Sequence, residues 1–303
     1  MKIPGLRSAH DLVDGIVYFG RMIDKIRLHD AGELPDEYVP WLGTSQSFDG
    51  RCCRFLRIDY SELAEAVKAG GSEQELLEWA YHHGRKPSEE EVEIWNHFMQ
   101  KRGWRDEARA RLMECKLAAG INSDAVLTSF DFIDVDEGRP PRFDPDPMPV
   151  RNGINSTVSI PGLRSPYVQM DGIFHFARML DKIRLALEGK LPAEWLEANG
   201  SLTGFDVSCC RFIGIEYTAL MQRMEKDGRD SEILEWAFSD GRKPSKEEVE
   251  IWNTYVSKRC WRDKYKPRLY MRLQNAAMPI GAALTMFDFI DMDEGRSLSS
   301  SDS

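Results

Sequence analysis

The chain has 303 residues, of which 42% are hydrophobic, 10% aromatic and 30% charged, and its formal net charge is -10. This length and composition suit two ordinary domains with packed cores and argue against a wholly disordered protein. The acidic total opposes binding to nucleic acid or membrane, and no apolar run suits a signal peptide or a membrane helix, so we expect a cytoplasmic protein.

The first predicted helix covers residues 15–28. Its apolar residues recur at steps of three and four and define one face: Ile16, Phe19, Ile23 and Ile26. Arg21 and Asp24 are expected to lie off that face. The stretch from Cys53 to Asp59 is strand-like, and we interpret it as a short extended piece or a helix entry, not as part of a sheet. A second helix is expected to begin near Ser61.

Two capping boxes predict where the next helices begin. Ser72 with Glu75 begins the third helix, and Ser88 with Glu91 begins the fourth. The third helix is predicted to end at Gly84, where glycine adopts the left-handed conformation easily.

The end of the fourth helix differs between the two halves of the chain, whose sequences repeat as described below. Gly103 follows this helix in the first half, and Cys260 stands at the equivalent position in the second half. A left-handed cap is therefore doubtful in at least one of the two halves. A fifth helix is predicted from Asp106 to Ala119, and a last one runs up to residues 130–134. At the helix junction that precedes the fifth helix, Arg105 is expected to stack on Trp104 and fix the angle between two helices.

The sequence repeats itself once. The constant offset that carries Cys52 to Cys209 aligns residues 3–139 with residues 160–296 without a gap, and roughly half of the aligned positions are identical. The predicted organisation is one helical copy over 1–139, a proline-rich linker over 140–159, a second helical copy over 160–296 and a flexible tail over 297–303. The fold class is therefore mainly α, with two homologous helical domains that we expect to pack about a pseudo-twofold axis.

A series of sequence signatures follows the same order in both halves. In the first half these read LRS, RMIDKIR, CCRF with I-x-Y, LLEWA, GRKPS with EEVEIWN, and FDFID with DEGR. The series resembles the bacterial domain-of-unknown-function family five-zero-six-nine over both copies, almost from end to end. That resemblance implies a helical domain that is typically present once, and it supplies no catalytic set to carry over.

The retained charges of the first helix are the main candidate site. The residues are Arg21, Asp24, Lys25 and Arg27 in the first copy and Arg178, Asp181, Lys182 and Arg184 in the second. They have the charge and helical spacing to bind a small anionic ligand. The alternative, which we favour, is an ion-pair network that ties this helix to the acidic motif near the end of each copy.

The cysteines and histidines are weaker candidates. The adjacent pairs Cys52–Cys53 and Cys209–Cys210 are either reactive thiols beside an arginine or small buried hydrophobic residues. No histidine recurs at equivalent positions, so a duplicated histidine metal centre is not expected. The aspartates of residues 131–139 lack the spacing of a calcium loop, and we predict no metal and no cofactor.

These patterns favour a monomeric binding or assembly module with two interacting lobes. Its partner is either an unidentified protein or a small anionic ligand. The alternative is an enzyme or sensor that holds an anionic metabolite between the lobes through Arg21, Lys25, Arg178 and Lys182, with Asp24 or Asp181 handling protons. The sequence alone leaves open whether any reaction is catalysed.

Overall fold

A computed structural model describes residues 2–146, 160–192 and 204–297. The chain divides into two compact units, Met1–Asp146 and Pro147–Ser303. Both are mainly helical, as predicted. Most of the predicted linker, residues 147–159, and the tail from residue 298 lie outside the described residues.

The first unit contains seven described α-helices, a short hairpin and one 3-10 helix. The helices are α1 Phe19–Asp30, α2 Phe48–Leu56, α3 Tyr60–Lys68, α4 Glu73–His83, α5 Glu89–Lys101, α6 Arg109–Ala118 and α7 Ser129–Asp136. The hairpin strands are β1 Leu12–Val13 and β2 Ile16–Val17, and the 3-10 helix is Asp36–Trp41.

The second unit repeats this order over its described residues. Its α-helices are α8 Phe176–Leu187, α9 Phe205–Ile213, α10 Tyr217–Met224, α11 Asp230–Asp240, α12 Lys246–Ser257, α13 Lys266–Asn275 and α14 Met286–Asp293. A single bridge between Met170 and Ile173 replaces the hairpin ladder of the first unit.

A tight turn precedes the first helix of each unit. Leu12–Val13 pairs antiparallel with Ile16–Val17 around Asp14–Gly15, whose φ angles are 45° and 83°. Two successive positive φ values are typical of a type I′ turn, which Asp-Gly favours. Asp171–Gly172 repeats it, with φ of 47° and 82°. The predicted helix start at residue 15 is therefore wrong, because α1 begins only at Phe19.

The predicted capping boxes are confirmed. Ser72 accepts a hydrogen bond from the N–H of Glu75, and the Glu75 carboxylate accepts one from the N–H of Ser72. The same reciprocal bonds begin two further helices: Ser88 with Glu91 and Ser245 with Glu248. These helix starts depend only on residues three apart, so the local sequence is enough to specify them.

Gly84 ends α4, but not in the predicted left-handed conformation. Its φ and ψ are -126° and -103°. A Cβ atom at this position would lie 2.1 Å from the carbonyl oxygen of Leu56, which also accepts the N–H of Arg85 at 2.9 Å. At Gly241 the distance to the Ile213 carbonyl oxygen would be 2.5 Å. Glycine is needed here because the chain passes close to the end of another helix.

The left-handed conformation after the fourth helix occurs in both copies. Gly103 has φ of 100° and Cys260 has φ of 79°, so the expected difference between the copies is wrong. The N–H of Gly103 donates to Asp106 at 3.0 Å, and the N–H of Cys260 donates to Asp263 at 3.0 Å. The aspartate fixes the turn in each copy and holds the cysteine in a backbone region that disfavours side chains.

Two predicted boundaries shift. The stretch Cys53–Asp59 is not extended: α2 continues to Leu56 and ends with Arg57 in the left-handed region. Asp59 then caps α3 by accepting the N–H groups of its first turn, and this helix begins at Tyr60, so the predicted start near Ser61 is confirmed. The fifth helix begins at Arg109 instead of at residue 106.

The last helix of each copy begins, instead of ending, near the Phe-Asp-Phe motif. Thr128 accepts from the N–H of Asp131, whose carboxylate accepts from the N–H of Thr128. This capping box fixes the start of α7 at Ser129. The acidic residues after the motif then lie at the end of α7, next to α1 and the N-terminal loop, as Ser8 donates to Asp134 at 2.6 Å.

Aromatic stacking fixes the helices around each core. The Phe55 and Trp95 rings stack with centroids 4.5 Å apart, and Phe212 and Trp252 stack at 4.9 Å. The predicted stacking of Arg105 on Trp104 is confirmed, with the guanidinium carbon 4.6 Å from the ring centroid. The two ring pairs join α2 to α5 and α9 to α12, which are distant in the sequence.

Candidate functional site

Three charged residues of α1 lie inside the lobe. Arg21, Asp24 and Lys25 are 2%, 6% and 5% exposed, so the prediction that Arg21 and Asp24 lie off the buried face is wrong. In α8, Arg178 and Asp181 are 2% and 7% exposed. Burying a charge is costly unless a partner of opposite charge compensates it. The partners therefore decide what these residues do.

Arg21 forms a two-pronged ion pair with Glu137. One guanidinium nitrogen donates to Glu137 Oε2 at 2.9 Å, the other donates to Oε1, and the first also donates to the Arg7 carbonyl at 2.7 Å. Burial opposes the charge of Glu137, but the hydrogen bonds from Arg21 lower the pKa of this carboxylate below its usual value. Both groups are thus charged in the core.

The second copy repeats this pair. Arg178 donates to Glu294 Oε2 at 3.0 Å and to its Oε1, and it donates to the Arg164 carbonyl at 2.7 Å. Each arginine therefore has the same two kinds of acceptor in its own lobe. The ion pair connects the first helix to the last helix of each copy.

Asp24 is held by an arginine of the N-terminal loop. Arg7 Nε lies 2.6 Å from Asp24 Oδ2, and Arg7 also pairs with Glu73 at the start of α4. The hydrogen bonds that Arg7 donates to Glu73 and Asp24 outweigh burial and raise the pKa of Arg7. In the second copy, Arg164 pairs with both Asp181 and Asp230, the residue equivalent to Glu73. One arginine thus joins three segments of each copy.

A further arginine closes the network at the end of each copy. Arg139 pairs with Glu137 and donates to the carbonyl of Leu6. Arg296 makes the same contacts with Glu294 and Leu163. The start and the end of each copy are thereby joined through charged hydrogen bonds.

Lys25 belongs to a second, separate cluster. Its Nζ lies 2.6 Å from Asp49 Oδ1 and donates to the Tyr18 hydroxyl at 3.1 Å. The Tyr18 hydroxyl donates to Asp49 at 3.0 Å, and the N–H of Gly43 donates to Asp49 Oδ2 at 3.2 Å. Burial lowers the pKa of Lys25 although Asp49 opposes the shift. The cluster is a buried lysine–aspartate pair completed by a phenol.

The second copy replaces this phenol with an imidazole. His175 Nε2 lies 2.8 Å from Asp206 Oδ1, and Lys182 pairs with Asp206 Oδ2. Burial opposes the charge of Asp206, but Lys182 holds its pKa well below the usual value. Tyr18 and His175 both precede the first helix with left-handed φ angles, 72° and 73°. This backbone is strained for side chains of that size.

The remaining predicted residues of this set, Arg27 and Arg184, lie at the edge of the network. Arg27 donates to the carbonyl of Gly71 at 2.9 Å. Arg184 lies 2.6 Å from Asp230. Arg27 thereby connects α1 to the loop before α4, and Arg184 connects α8 to the first residue of α11.

The cysteine pairs are buried. Cys52 and Cys209 are completely enclosed, and burial raises the pKa of each thiol well above its usual value. Burial also raises the pKa of Cys53 and of Cys210 to about 12. These surroundings suppress the thiolate, which is the reactive form, and favour a packing role.

The favoured prediction, an ion-pair network between the first helix and the acidic motif near the end of each copy, is confirmed by the Arg21–Glu137 and Arg178–Glu294 pairs. Sequence reasoning missed the second cluster, because Asp49 and Tyr18 were not singled out as partners of Lys25. The local signal for Asp49 was its retention as Asp206 at the start of a helix. The described residues contain no group of three or more metal-ligating side chains, and no described helix is long and apolar enough to cross a membrane.

The chain matches the profile of one known protein family. The family profile described as domain of unknown function (DUF5069) matches residues 3–139 and again residues 160–296. No curated protein matches the chain.

Proposed function

Both halves of the chain belong to the DUF5069 family, and from this premise we propose that the protein is a binding or assembly module built from two copies of one helical scaffold. One observation carries the proposal. The retained charges that had the potential to bind a small anion are engaged by partners inside their own lobe.

Arg21 is the decisive residue. Its guanidinium donates to Glu137 and to the Arg7 carbonyl, and it is 2% exposed. An anionic ligand would have to displace a buried carboxylate, and separating such a pair costs about 3–5 kcal/mol. Arg178 meets the same obstacle. The network instead supports a rigid body whose outer surface is available for a partner.

The alternative function is an enzyme or sensor for a small anionic metabolite. The lowered pKa of Lys25, next to a tyrosine in a strained backbone, is the observation in its favour. A lysine of this kind is a potential base or nucleophile where substrate reaches it. Lys25 is 5% exposed and bonded to Asp49, so the cluster would have to open first.

Further aspects of the proposal concern assembly and location. We propose that the chain is a monomer and that it works in the cytoplasm without nucleic acid. The buried thiols of Cys52 and Cys209 suit a reducing compartment. Light scattering tests the first point: the expected mass is 34.8 kDa, and a stable higher oligomer would contradict it.

The proposed function is tested by reconstitution. Proteins cross-linked to the full chain in its source cells are identified and purified, and each is mixed with the purified chain. A stoichiometric complex in light scattering is the expected result.

A second experiment tests the alternative function, by a thermal-shift screen of phosphorylated and carboxylated metabolites and metal ions. A ligand that raises the unfolding temperature in the wild type but not in Arg21→Ala, compared at matched starting stability, would favour the enzyme or sensor.

A further inference from the structure

The 3-10 helix Asp36–Trp41 presents most of its length to solvent. Five of its six residues are exposed, and Tyr38 is the exception. Trp41 is 52% exposed and Val39 is 39% exposed, with Pro40 between them. Tryptophan is the residue type most enriched among side chains that dominate protein–protein binding energy. We name residues 36–41 the Trp41 face.

The Trp41 face is held in place by the buried network. The Tyr38 hydroxyl donates to Glu137 Oε1 at 2.7 Å, and Glu137 is the partner of Arg21. Tyr38 and Leu42 also pack against an apolar cluster: Ile3, Leu6, Leu28 and Leu34. A surface that is already ordered loses less conformational entropy on binding. The buried ion pair therefore supports the exposed tryptophan.

The segment that carries Trp41 is acidic in sequence. Glu33, Asp36 and Glu37 are exposed, and none of the three forms an ion pair within the part of the chain that the structure describes. No lysine or arginine occurs between Arg27 and Arg51. The acidic residues of the internal network, by contrast, have arginine partners. Carboxylates without cations beside an exposed tryptophan complement a partner that supplies positive charge and an apolar side chain.

We propose that the Trp41 face docks a basic segment of another protein, in which lysine or arginine flanks an aliphatic side chain. The aliphatic group contacts Val39 and Trp41, and the cations contact Asp36, Glu37 and Glu33. This inference rests on the proposed binding function and assigns a surface to it. The net charge of -10 adds long-range attraction for such a segment.

The test uses the full chain and a labelled synthetic peptide in which leucine alternates with lysine. Fluorescence anisotropy measures its binding, and a peptide with glutamate in place of lysine is the charge control. We expect the lysine peptide alone to bind, and Trp41→Ala to weaken it by about tenfold or more. Asp36→Asn combined with Glu37→Gln should weaken binding and reduce its dependence on salt.

Leu117→Ala is the matched control, because Leu117 is 81% exposed on α6 of the same lobe. It should leave the affinity unchanged, and circular dichroism should show that each variant is folded. Equal binding by Trp41→Ala and wild type would overturn the docking surface, as would absence of binding by the lysine peptide. If a reconstituted natural complex also forms with Trp41→Ala, the binding module stands and this surface assignment fails.

Discussion

In each lobe a histidine and a tyrosine pack against one phenylalanine of the last helix. The position that holds the histidine in one lobe holds the tyrosine in the other. In the first lobe, His10 meets Phe130 edge-on at 5.2 Å and Tyr18 stacks on it at 5.7 Å. In the second, Tyr167 meets Phe287 edge-on at 5.2 Å and His175 stacks on it at 5.9 Å. The aromatic packing is conserved although the residues are exchanged.

The exchange changes the hydrogen bonds. The Tyr167 hydroxyl donates to Asp288 at 2.8 Å, whereas His10 Nε2 lies 3.9 Å from the equivalent Asp131. Neither ring nitrogen of His10 has a hydrogen-bond partner among the described residues. His175, in the other exchanged position, does reach a carboxylate. Packing thus tolerates either ring at either position. The hydrogen bonds of the polar atoms, however, depend on which ring is present, and this difference can be tested.

The largest expected effect concerns the buried arginine–glutamate pair that both lobes share. Arg21→Met and Arg178→Met should each lower the free energy of unfolding by about 3–5 kcal/mol, because a buried glutamate loses its principal partner. Urea unfolding followed by fluorescence and fitted for two transitions measures both values. The control is Arg111→Met, which removes an exposed pair with Glu114 and should cost about 0–1 kcal/mol. A loss confined to one lobe would show that the two networks are not equivalent.

The second prediction concerns pH. Burial lowers the pKa of His10 and of His175, although neighbouring aspartates oppose the shift. Below the unfolded pKa of 6.5, the unfolded chain binds protons that the folded chain does not. The contribution of the two neutral histidines to the free energy of unfolding is therefore fully present above this pH. It declines as pH falls, by up to about 1.4 kcal/mol per pH unit for each histidine.

Single substitutions assign this pH dependence to a lobe. His10→Tyr should remove the decline of the first lobe, and His175→Tyr should remove that of the second. Unfolding temperature measured from pH 7.5 to pH 5 is the readout, and exposed His82→Asn is the control, for which no change is expected. A decline that persists in both tyrosine variants would exclude these histidines as its cause.

Local signals predicted much of the fold but little of the site. The capping box of Ser72 and Glu75 was predictable because both partners lie within one helical turn. The acidic motif was expected to pair with the first helix, but the carboxylate that binds Arg21 was not identifiable, because Glu137 lies 116 residues away and only packing brings the two together. The helix start at residue 15 failed for a local reason: apolar periodicity was preferred over the Asp14–Gly15 turn signal.

The third prediction exchanges one residue between the lobes. His10→Tyr at pH 7.5 should stabilise the first lobe by about 1 kcal/mol, because a hydroxyl at this position donates to Asp131 as Tyr167 donates to Asp288. The reverse change, Tyr167→His, should cost the second lobe a similar amount. Urea unfolding measures both. Destabilisation by His10→Tyr would mean that the contact of His10 with Phe143 leaves no space for the phenol.

The smallest expected effect lies at the start of α2 and α9. Ser47 accepts the N–H of Gly50 at 3.2 Å, whereas its counterpart Gly204 caps α9 without a side-chain hydrogen bond. Serine and glycine at this position differ by only a few tenths of a kcal/mol, so Gly204→Ser should stabilise the second lobe and Ser47→Gly should destabilise the first by that amount. Unfolding temperatures measured side by side detect the opposite signs. If both variants shift in the same direction, the capping hydrogen bond is not what distinguishes these two helix starts, and the backbone freedom of the substituted residue itself decides the sign instead.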